Sequence, residues 1–164
     1  MTDFGALLHA LADRDVKYII VGGVAAAIHG GARATYDLDI VYSRTPDNMG
    51  RLVDALAPYH PYLRGAPPGL PFQWDTATLA RGLNFTLTTS LGDIDLFGEI
   101  TGGGSYDALL PHSIPVPVFG IQSRCLTLER LIAVKRAAGR PKDLDAIAEL
   151  EAIAEEMLRS QKKL

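Results

Sequence analysis

Cysteine is nearly absent from this 164-residue sequence, in which Cys125 stands alone. A single cysteine excludes a disulfide framework and any four-cysteine zinc site. It also favours a reducing compartment, in which a thiol needs no partner. Residues 1–4 lack the basic region and apolar run that begin a secretory signal peptide. We therefore expect a cytoplasmic protein.

Long hydrophobic runs are missing as well. The longest uncharged stretches, residues 18–32 and 108–123, are interrupted by histidine, glycine or proline. A membrane-spanning helix needs about 20 consecutive apolar residues, so no membrane span is predicted. The composition, 48% hydrophobic and 21% charged, is that of an ordinary globular protein and excludes wholesale disorder.

An excess of positive charge is also lacking, because 16 basic and 19 acidic side chains give a formal net charge of −3. No basic surface for nucleic acid therefore covers the whole chain. Residues 124–142 are a local exception. They contain six basic side chains and one acidic side chain, so the net charge of this segment is +5 and that of the remaining chain is −8. The basic residues are Arg124, Arg130, Lys135, Arg136, Arg140 and Lys142. We expect this segment to face phosphate groups, including those of an RNA backbone.

Helical signals lie at both ends of the chain and near its first third. The apolar stripe of the first helix comprises Phe4, Leu7, Leu8 and Leu11. Thr45-Pro46, a cap followed by a first-turn proline, predicts a helix that ends near residue 56. Two further helices, over residues 126–138 and 141–159, are predicted to close the chain.

Segments rich in β-branched or alternating apolar residues predict a small mixed sheet. The predicted strands cover residues 17–21, 37–42, 83–89, 93–97 and 114–119. Residues 57–71 contain five prolines and two glycines, which predicts a long irregular loop. This order favours an α/β (α+β) fold with helices flanking the sheet. We expect one domain, residues 1–164, with a core over about 17–125 and C-terminal helices over about 126–159.

Asp-x-Asp pairs occur four times in the sequence. The pair at 13/15 ends a predicted helix, and the pair at 143/145 lies in a first helical turn, where carboxylates are favourable. The pairs at 37/39 and 93/95 lie in apolar, strand-like segments, where aspartate is unfavourable. These two pairs therefore need a chemical explanation.

Asp37 and Asp39 are two residues apart on a predicted strand, so their side chains share one face, about 7 Å apart at the backbone. The carboxylates repel each other unless a cation lies between them, and hard oxygen ligands suit Mg²⁺ or Mn²⁺. Asp93 and Asp95 repeat the pattern, and a neighbouring strand would bring one of them beside Asp39. Three such carboxylates can hold the metal ions of in-line phosphoryl chemistry. A polar strand face exposed to water is the alternative.

Two features suggest phosphate binding. Gly22-Gly23 follows a predicted strand and precedes a short helix, where glycine permits close approach and free N–H groups can bind phosphate. A plain tight turn is the alternative. Lys135 continues the apolar stripe of its helix, so it meets an anion, such as a nucleoside triphosphate, or extends to solvent.

His29 and Cys125 are the remaining residues with reactive side chains in informative positions. We interpret His29, at the end of the short helix, as a packing or hydrogen-bonding residue. Cys125 is placed at the opening of a helix, where we interpret it as a buried, inert thiol; the alternative is a reactive thiol whose pKa is lowered by the neighbouring Arg124.

In their order and spacing, these segments resemble the nucleotidyltransferase superfamily with the DNA polymerase β-like fold. The resemblance is closest to the AbiEii-type branch, which includes toxins of type IV toxin–antitoxin systems, and covers about residues 17–150. An apolar strand leads into Gly22-Gly23, and the following strand carries Asp37 and Asp39. This is the family's glycine turn followed by its first carboxylate pair.

Two further segments extend the resemblance. Asp95 matches the third carboxylate of the family, with Asp93 in reserve, and residues 135–144 are similar to the family's Lys-plus-Asp helical motif. Gly23 is a departure, because many members have serine there, and a hydroxyl contact to phosphate is therefore missing. AbiEii-type toxins are also usually larger than this chain.

The resemblance implies a metal-dependent nucleotidyltransferase that releases pyrophosphate. Its implied metal ligands are Asp37, Asp39 and Asp95. Its implied phosphate-binding residues are Gly22, Gly23, Arg33, Lys135 and Arg140. Lys135 and Asp143 join the three carboxylates as implied catalytic residues, and Asp143 would either position Lys135 or transfer a proton.

The implied reaction moves a nucleoside monophosphate from a nucleoside triphosphate, with ATP as one candidate, to an acceptor hydroxyl. The acceptor would be RNA, such as a tRNA 3′ end, a protein or a small molecule. A toxin role would imply a cognate antitoxin as partner. The alternative is a non-catalytic module on the same fold that binds a nucleotide or a partner chain.

Overall fold

The computed structural model of the protein describes residues 1–162. Helices and strands alternate along much of this range. The α-helices are α1 (Phe4–Asp13), α2 (Gly22–Ile28), α3 (Pro46–Leu56), α4 (Thr76–Arg81), α5 (Tyr106–Leu109), α6 (Leu128–Ala138) and α7 (Pro141–Lys162). The strands are β1 (Tyr18–Val21), β2 (Asp37–Tyr42), β3 (Tyr62–Leu63), β4 (Asn84–Thr89), β5 (Gly92–Phe97), β6 (Glu99–Ile100), β7 (Gly104–Ser105), β8 (Ser113–Val118) and β9 (Ile121–Leu126). Within these residues, no helix is long and apolar enough to cross a membrane.

One mixed sheet organises the fold, with the strand order β3-β4-β5-β2-β1-β9-β8. The pairs β2–β5 and β1–β9 are parallel, whereas the other neighbours in this sheet are antiparallel. Strands β6 and β7 form a separate short ladder. A mixed sheet with helices packed around it confirms the predicted α/β (α+β) class. The assignment of the whole chain to one domain stays a prediction.

The central strands β2 and β5 have one apolar face. Leu38 and Ile40 on β2, and Ile94 and Leu96 on β5, are fully buried. They belong to one hydrophobic core with the buried leucines of α1 and α3. Because side chains alternate along a strand, the aspartates between these residues project from the opposite face. The core therefore fixes the direction in which the aspartates point.

Local signals account for several helix boundaries. The Thr45 hydroxyl accepts a hydrogen bond from the backbone N–H of Asn48, and Pro46 begins α3 as predicted. Gly139 ends α6 with a left-handed φ of 64°, a conformation that glycine adopts without strain, and Pro141 begins α7. Strand β8, with its prolines, lies at an edge of the sheet, as predicted.

The prediction of an irregular loop over residues 57–71 is wrong in part. A turn of 3₁₀ helix over Ala57–Tyr59 is followed by β3, which pairs antiparallel with β4. Strand β3 is an edge strand only two residues long. Two residues are too few to show the alternation of apolar and polar side chains that predicts a strand. The neighbouring prolines also favour a loop, although an edge strand tolerates them.

Strand β9 was not predicted, and the placement of Cys125 at the opening of a helix is wrong. Cys125 lies on β9 opposite Ile20 of β1, and α6 begins only at Leu128. The polar residues Ser123 and Arg124 conceal the apolar character of this strand in the sequence. The short helices α4 and α5 were also missed.

Candidate active site

Four aspartates form a row on one face of β2 and β5. The two strands pair in parallel, with Asp37 opposite Asp93 and Asp39 opposite Asp95. Oxygens of Asp37, Asp39 and Asp95 lie within 4.8 Å of one another, and we call these three residues the triad. The structure thus brings together the three carboxylates that the sequence suggested as metal ligands. Asp93 lies in the same row but outside this group.

The triad concentrates negative charge in a partly buried place. Burial, reinforced by the charges of Asp37 and Asp95, raises the pKa of Asp39 to about 8. Burial also raises the pKa of Asp95, although the Arg64 guanidinium opposes this shift. One oxygen of Asp39 is buried without a hydrogen-bond partner, whereas the buried oxygen of Asp95 lies 2.8 Å from a guanidinium nitrogen of Arg64. Such oxygens cost free energy unless a proton or a cation satisfies them.

The donor set of the triad fits a hard divalent cation. All three ligands are carboxylates, which Mg²⁺ and Mn²⁺ prefer, whereas zinc sites draw mainly on histidine and cysteine. A cation bound by these oxygens would offset their mutual repulsion and satisfy the orphaned oxygen of Asp39. The triad therefore has the composition and spacing of a divalent-cation site.

Gly22 and Gly23 lie close against this site. Gly22 has a left-handed φ of 66°, and a Cβ there would overlap the Asp39 carboxylate. A Cβ on Gly23 would lie 2.6 Å from the Thr35 hydroxyl oxygen. Both positions therefore require glycine for steric reasons, and the start of α2 approaches the triad without intervening side chains.

A cleft of about 410 Å³ opens beside the triad, and we call it the basic cleft. Asp37, Asp39 and Asp95 form part of its lining, together with residues from α2 and α7. Its positively charged side chains are Arg33, Lys135, Arg140 and Lys142. At its rim Arg33 also pairs with Asp145 on α7, at 3.8 Å between nitrogen and oxygen. Cations next to a candidate metal-binding triad suit a polyanionic ligand such as a phosphate chain.

Asp143 holds Arg140 in the lining of the basic cleft. The carboxylate is buried, and it accepts hydrogen bonds from two guanidinium nitrogens of Arg140, at 2.8 and 3.3 Å. Burial acts to raise the pKa of Asp143, but the hydrogen bond and charge of Arg140, with the charge of Lys135, bring it below the ordinary value. Asp143 therefore contacts Arg140 directly, and the charge of Lys135 acts on it as well.

The basic segment 124–142 does not form one phosphate-facing surface, so that prediction is wrong in part. Three of its six basic residues line the basic cleft, namely Lys135, Arg140 and Lys142. The other three are engaged within the fold. Arg124 donates to a serine of β8, Arg130 contacts a histidine just before β8, and Arg136 pairs with a glutamate of α7.

Arg64 is a site residue that the sequence did not reveal. It follows β3, within the proline-rich segment 57–71, and its guanidinium lies across the aspartate row. Its nitrogens lie 2.8 Å from an oxygen of Asp95, 3.4 Å from one of Asp93 and 3.6 Å from one of Asp37. It also donates to the Leu87 carbonyl at 2.7 Å. No motif marks this arginine, because the non-local pairing of β3 with β4 brings it to the site.

His29 and Cys125 do not line the basic cleft. The Nε2 atom of His29 lies 2.7 Å from the Leu126 carbonyl oxygen, which confirms a hydrogen-bonding role in packing. Cys125 is fully buried, and burial raises the pKa of its thiol to about 12. The interpretation of Cys125 as a buried, inert thiol is therefore confirmed. The alternative, a pKa lowered by Arg124, is wrong, because neighbouring residues on a strand point to opposite faces.

Comparisons with known proteins identify no family for this chain. No protein-family model matches it, and no curated protein matches it either. One similar solved structure is the crystal structure of a putative nucleotidyltransferase from Thermotoga maritima. The two are 15% identical, with a TM-score of 0.49, over 95% of this chain and 90% of that one. The chemistry of the site therefore rests on the triad and the basic cleft themselves.

Proposed function

We propose that this protein is a metal-dependent nucleotidyltransferase, which moves a nucleoside monophosphate from a nucleoside triphosphate to an acceptor hydroxyl. The observation that carries the proposal is the triad of carboxylates within 4.8 Å of one another, directly beside a cleft with four cationic side chains. Asp37, Asp39 and Asp95 would hold Mg²⁺ or Mn²⁺. Such an ion supplies charge stabilisation at the reacting phosphate.

The basic cleft is the proposed site of the triphosphate. Lys135 and Arg140 line it together with the aspartates and would neutralise phosphate oxygens, with Arg33 as a further cation at the rim. The backbone of Gly22 and Gly23 would approach the same phosphates, because neither residue has a side chain to separate them. These contacts would hold the α-phosphorus near the triad.

The proposed reaction is an in-line displacement. The acceptor oxygen forms a bond to the α-phosphorus while the bond to pyrophosphate breaks, and the hydroxyl proton passes to Asp95 or to water. Positioning of the two reactants would provide much of the rate enhancement. The lowered pKa of Asp143 makes it a poor proton acceptor, which supports a positioning role through Arg140.

The acceptor and the biological role belong to the same proposal. Three acceptor classes follow from the sequence resemblance: RNA such as a tRNA 3′ end, a protein, and a small hydroxylated molecule. Membership of the AbiEii-type branch would add a toxin role and a cognate antitoxin. These options are separated by where label is transferred and by whether expression arrests growth.

A non-catalytic nucleotide-binding module is the second candidate, and Arg64 is the observation in its favour. A guanidinium in contact with the aspartate row balances part of its charge without a metal ion. In that case the carboxylates and Arg64 would form a structural ion-pair network. Phosphoryl transfer would then be absent, even though the basic cleft can still bind a nucleotide.

Label transfer tests the proposal. Wild-type protein is incubated with each of four α-³²P-labelled nucleoside triphosphates, Mg²⁺ or Mn²⁺, and either total tRNA, cell protein or an aminoglycoside. Asp39→Asn removes one triad carboxylate, and Asp54→Asn, an exposed aspartate on α3, is the matched control. Label with wild type and Asp54→Asn, lost in Asp39→Asn, is the expected result. Metal-dependent nucleotide binding without transfer to any of the three acceptors would instead favour the non-catalytic module.

A further inference from the structure

A second cleft, of about 330 Å³, meets the basic cleft at Asp39 of the triad, and we call it the apolar cleft. Asp39 and Lys135 line both clefts, as do Gly22, Phe97 and Arg140. Asp37 and Asp95 line only the basic cleft. The two clefts therefore form one continuous depression, with the triad near their junction.

The walls of the apolar cleft are suited to a flat, apolar group. Phe97 is two residues beyond Asp95 on β5, so its ring projects from the same face as the aspartates. Aliphatic side chains complete the wall, contributed by Ile100 and by the α6 residues Leu131 and Val134. An aromatic ring beside a phosphate-binding cleft is the kind of surface on which nucleobases stack.

Polar groups in the apolar cleft offer hydrogen bonds of both kinds. Asn84 has its side-chain oxygen fixed, because the backbone N–H of Gly98 donates to it at 3.0 Å. The amide nitrogen of Asn84 is then a donor available to a ligand. Glu99 and Thr101, which also line the cleft, supply acceptors. A donor and acceptors around an apolar wall match the edge of a nucleobase and the hydroxyls of a ribose.

We propose that the apolar cleft holds the nucleoside portion of the substrate whose phosphates lie in the basic cleft. This inference rests on the proposed function and assigns it a residue set for base recognition, Phe97 and Asn84. The continuity of the clefts favours this occupant over a separate acceptor, because a nucleoside triphosphate carries an apolar base and a polyanion in one molecule.

The test compares ligands with and without a nucleoside. Calorimetry measures the affinity of wild-type protein for each of four nucleoside triphosphates and for inorganic tripolyphosphate, all with Mg²⁺. The same titrations are made with Phe97→Leu and with Asn84→Asp. The aspartate keeps the acceptor for Gly98 and removes the donor, so it disturbs the fold least. Phe119→Leu, at an exposed aromatic residue, is the control.

At least one nucleoside triphosphate is expected to bind wild type more tightly than tripolyphosphate. Phe97→Leu should weaken the binding of that nucleotide about tenfold and leave the affinity for tripolyphosphate unchanged, since stacking acts only on the base. An unchanged preference for the nucleotide in both Phe97→Leu and Asn84→Asp would overturn the inference. Failure of wild type to bind either ligand would instead overturn the proposed function on which the inference rests.

Discussion

Arg64 places a guanidinium nitrogen 2.8 Å from a carboxylate oxygen of Asp95, a residue of the triad. The same nitrogen donates to the Leu87 carbonyl on β4, so the charge is fixed in position. Both side chains are largely shielded, with 26% and 17% of their surfaces exposed. A fixed positive charge at this distance neutralises part of the aspartate row and opposes the binding of a second cation there.

Replacement of Arg64 should therefore strengthen metal binding. Arg64→Gln is expected to raise the affinity of the nucleotide-free protein for Mn²⁺ about tenfold, a gain of about 1.4 kcal/mol, because electrostatic competition is removed. Calorimetric titration measures this affinity for Mn²⁺. Arg51→Gln is the control, since this arginine of α3 hydrogen bonds to the Asp15 carbonyl instead of the aspartate row. Equal affinities in the two variants would show that Arg64 does not compete with the ion.

The two aspartates of β5 should differ in their effect on metal binding. Asp95 belongs to the triad, whereas Asp93 stands outside it. Asp95→Asn is expected to abolish the rise in melting temperature that millimolar Mn²⁺ gives the wild type, because binding to the native state is the source of that rise. Asp93→Asn should retain it. The reverse pattern in thermal unfolding would make Asp93 the third ligand.

Gly22 should tolerate no side chain. Gly22→Ala places a methyl group against the Asp39 carboxylate at a left-handed φ, and the φ strain alone costs about 1–2 kcal/mol. We expect a lower melting temperature and the loss of metal binding, because Asp39 must move. Thermal unfolding with and without Mn²⁺ measures both effects.

Gly50→Ala is the matched control for Gly22→Ala. Gly50 lies inside α3, where a Cβ would meet nothing within 4 Å. Alanine is expected to stabilise the protein there by about 0.5–1 kcal/mol, because glycine is the weaker helix former. If Gly22→Ala behaved like Gly50→Ala, the close approach of Gly22 to the triad would have no energetic consequence.

Much of the site was predictable because its main signals are local. The alternation of aspartate with buried residues in β2 and β5 identifies the strands and the face on which the carboxylates lie. The prediction that these strands neighbour each other came from the resemblance and from the chemistry of three carboxylates. The structure supplies the register that pairs Asp39 with Asp95.

The parts of the site that the sequence did not predict depend on contacts between segments that are distant in the chain. Arg64 reaches the triad because β3 pairs with β4, yet β3 has only two residues and no sequence pattern. The apolar cleft combines residues of β4, β5 and α6, none of which marks a pocket by itself. The net charge of residues 124–142 overstated their phosphate-facing surface for a related reason. Half of the basic side chains in this segment contact other residues of the protein instead of lining the basic cleft.

The ion pair between Asp143 and Arg140 should make stability depend on pH. The pKa of Asp143 lies below its ordinary value of 3.8, so the folded state binds this proton less readily than the unfolded state. Its stabilising contribution is therefore fully present above that value and is lost as the pH falls through the folded-state pKa. Asp143→Asn should destabilise the protein by about 1–3 kcal/mol at pH 7, and the difference from wild type should shrink near pH 3.

Urea unfolding at neutral and acidic pH measures this difference, and Asp145→Asn is the control. Asp145 is 86% exposed and lies two residues further along α7, so its weak pairing with Arg33 should contribute less than about 1 kcal/mol. Equal losses in the two variants would assign the effect to the helix dipole, which acts on both residues. A loss confined to Asp143→Asn that shrinks toward pH 3 would instead identify the ion pair through which the buried Asp143 carboxylate orients Arg140 in the basic cleft.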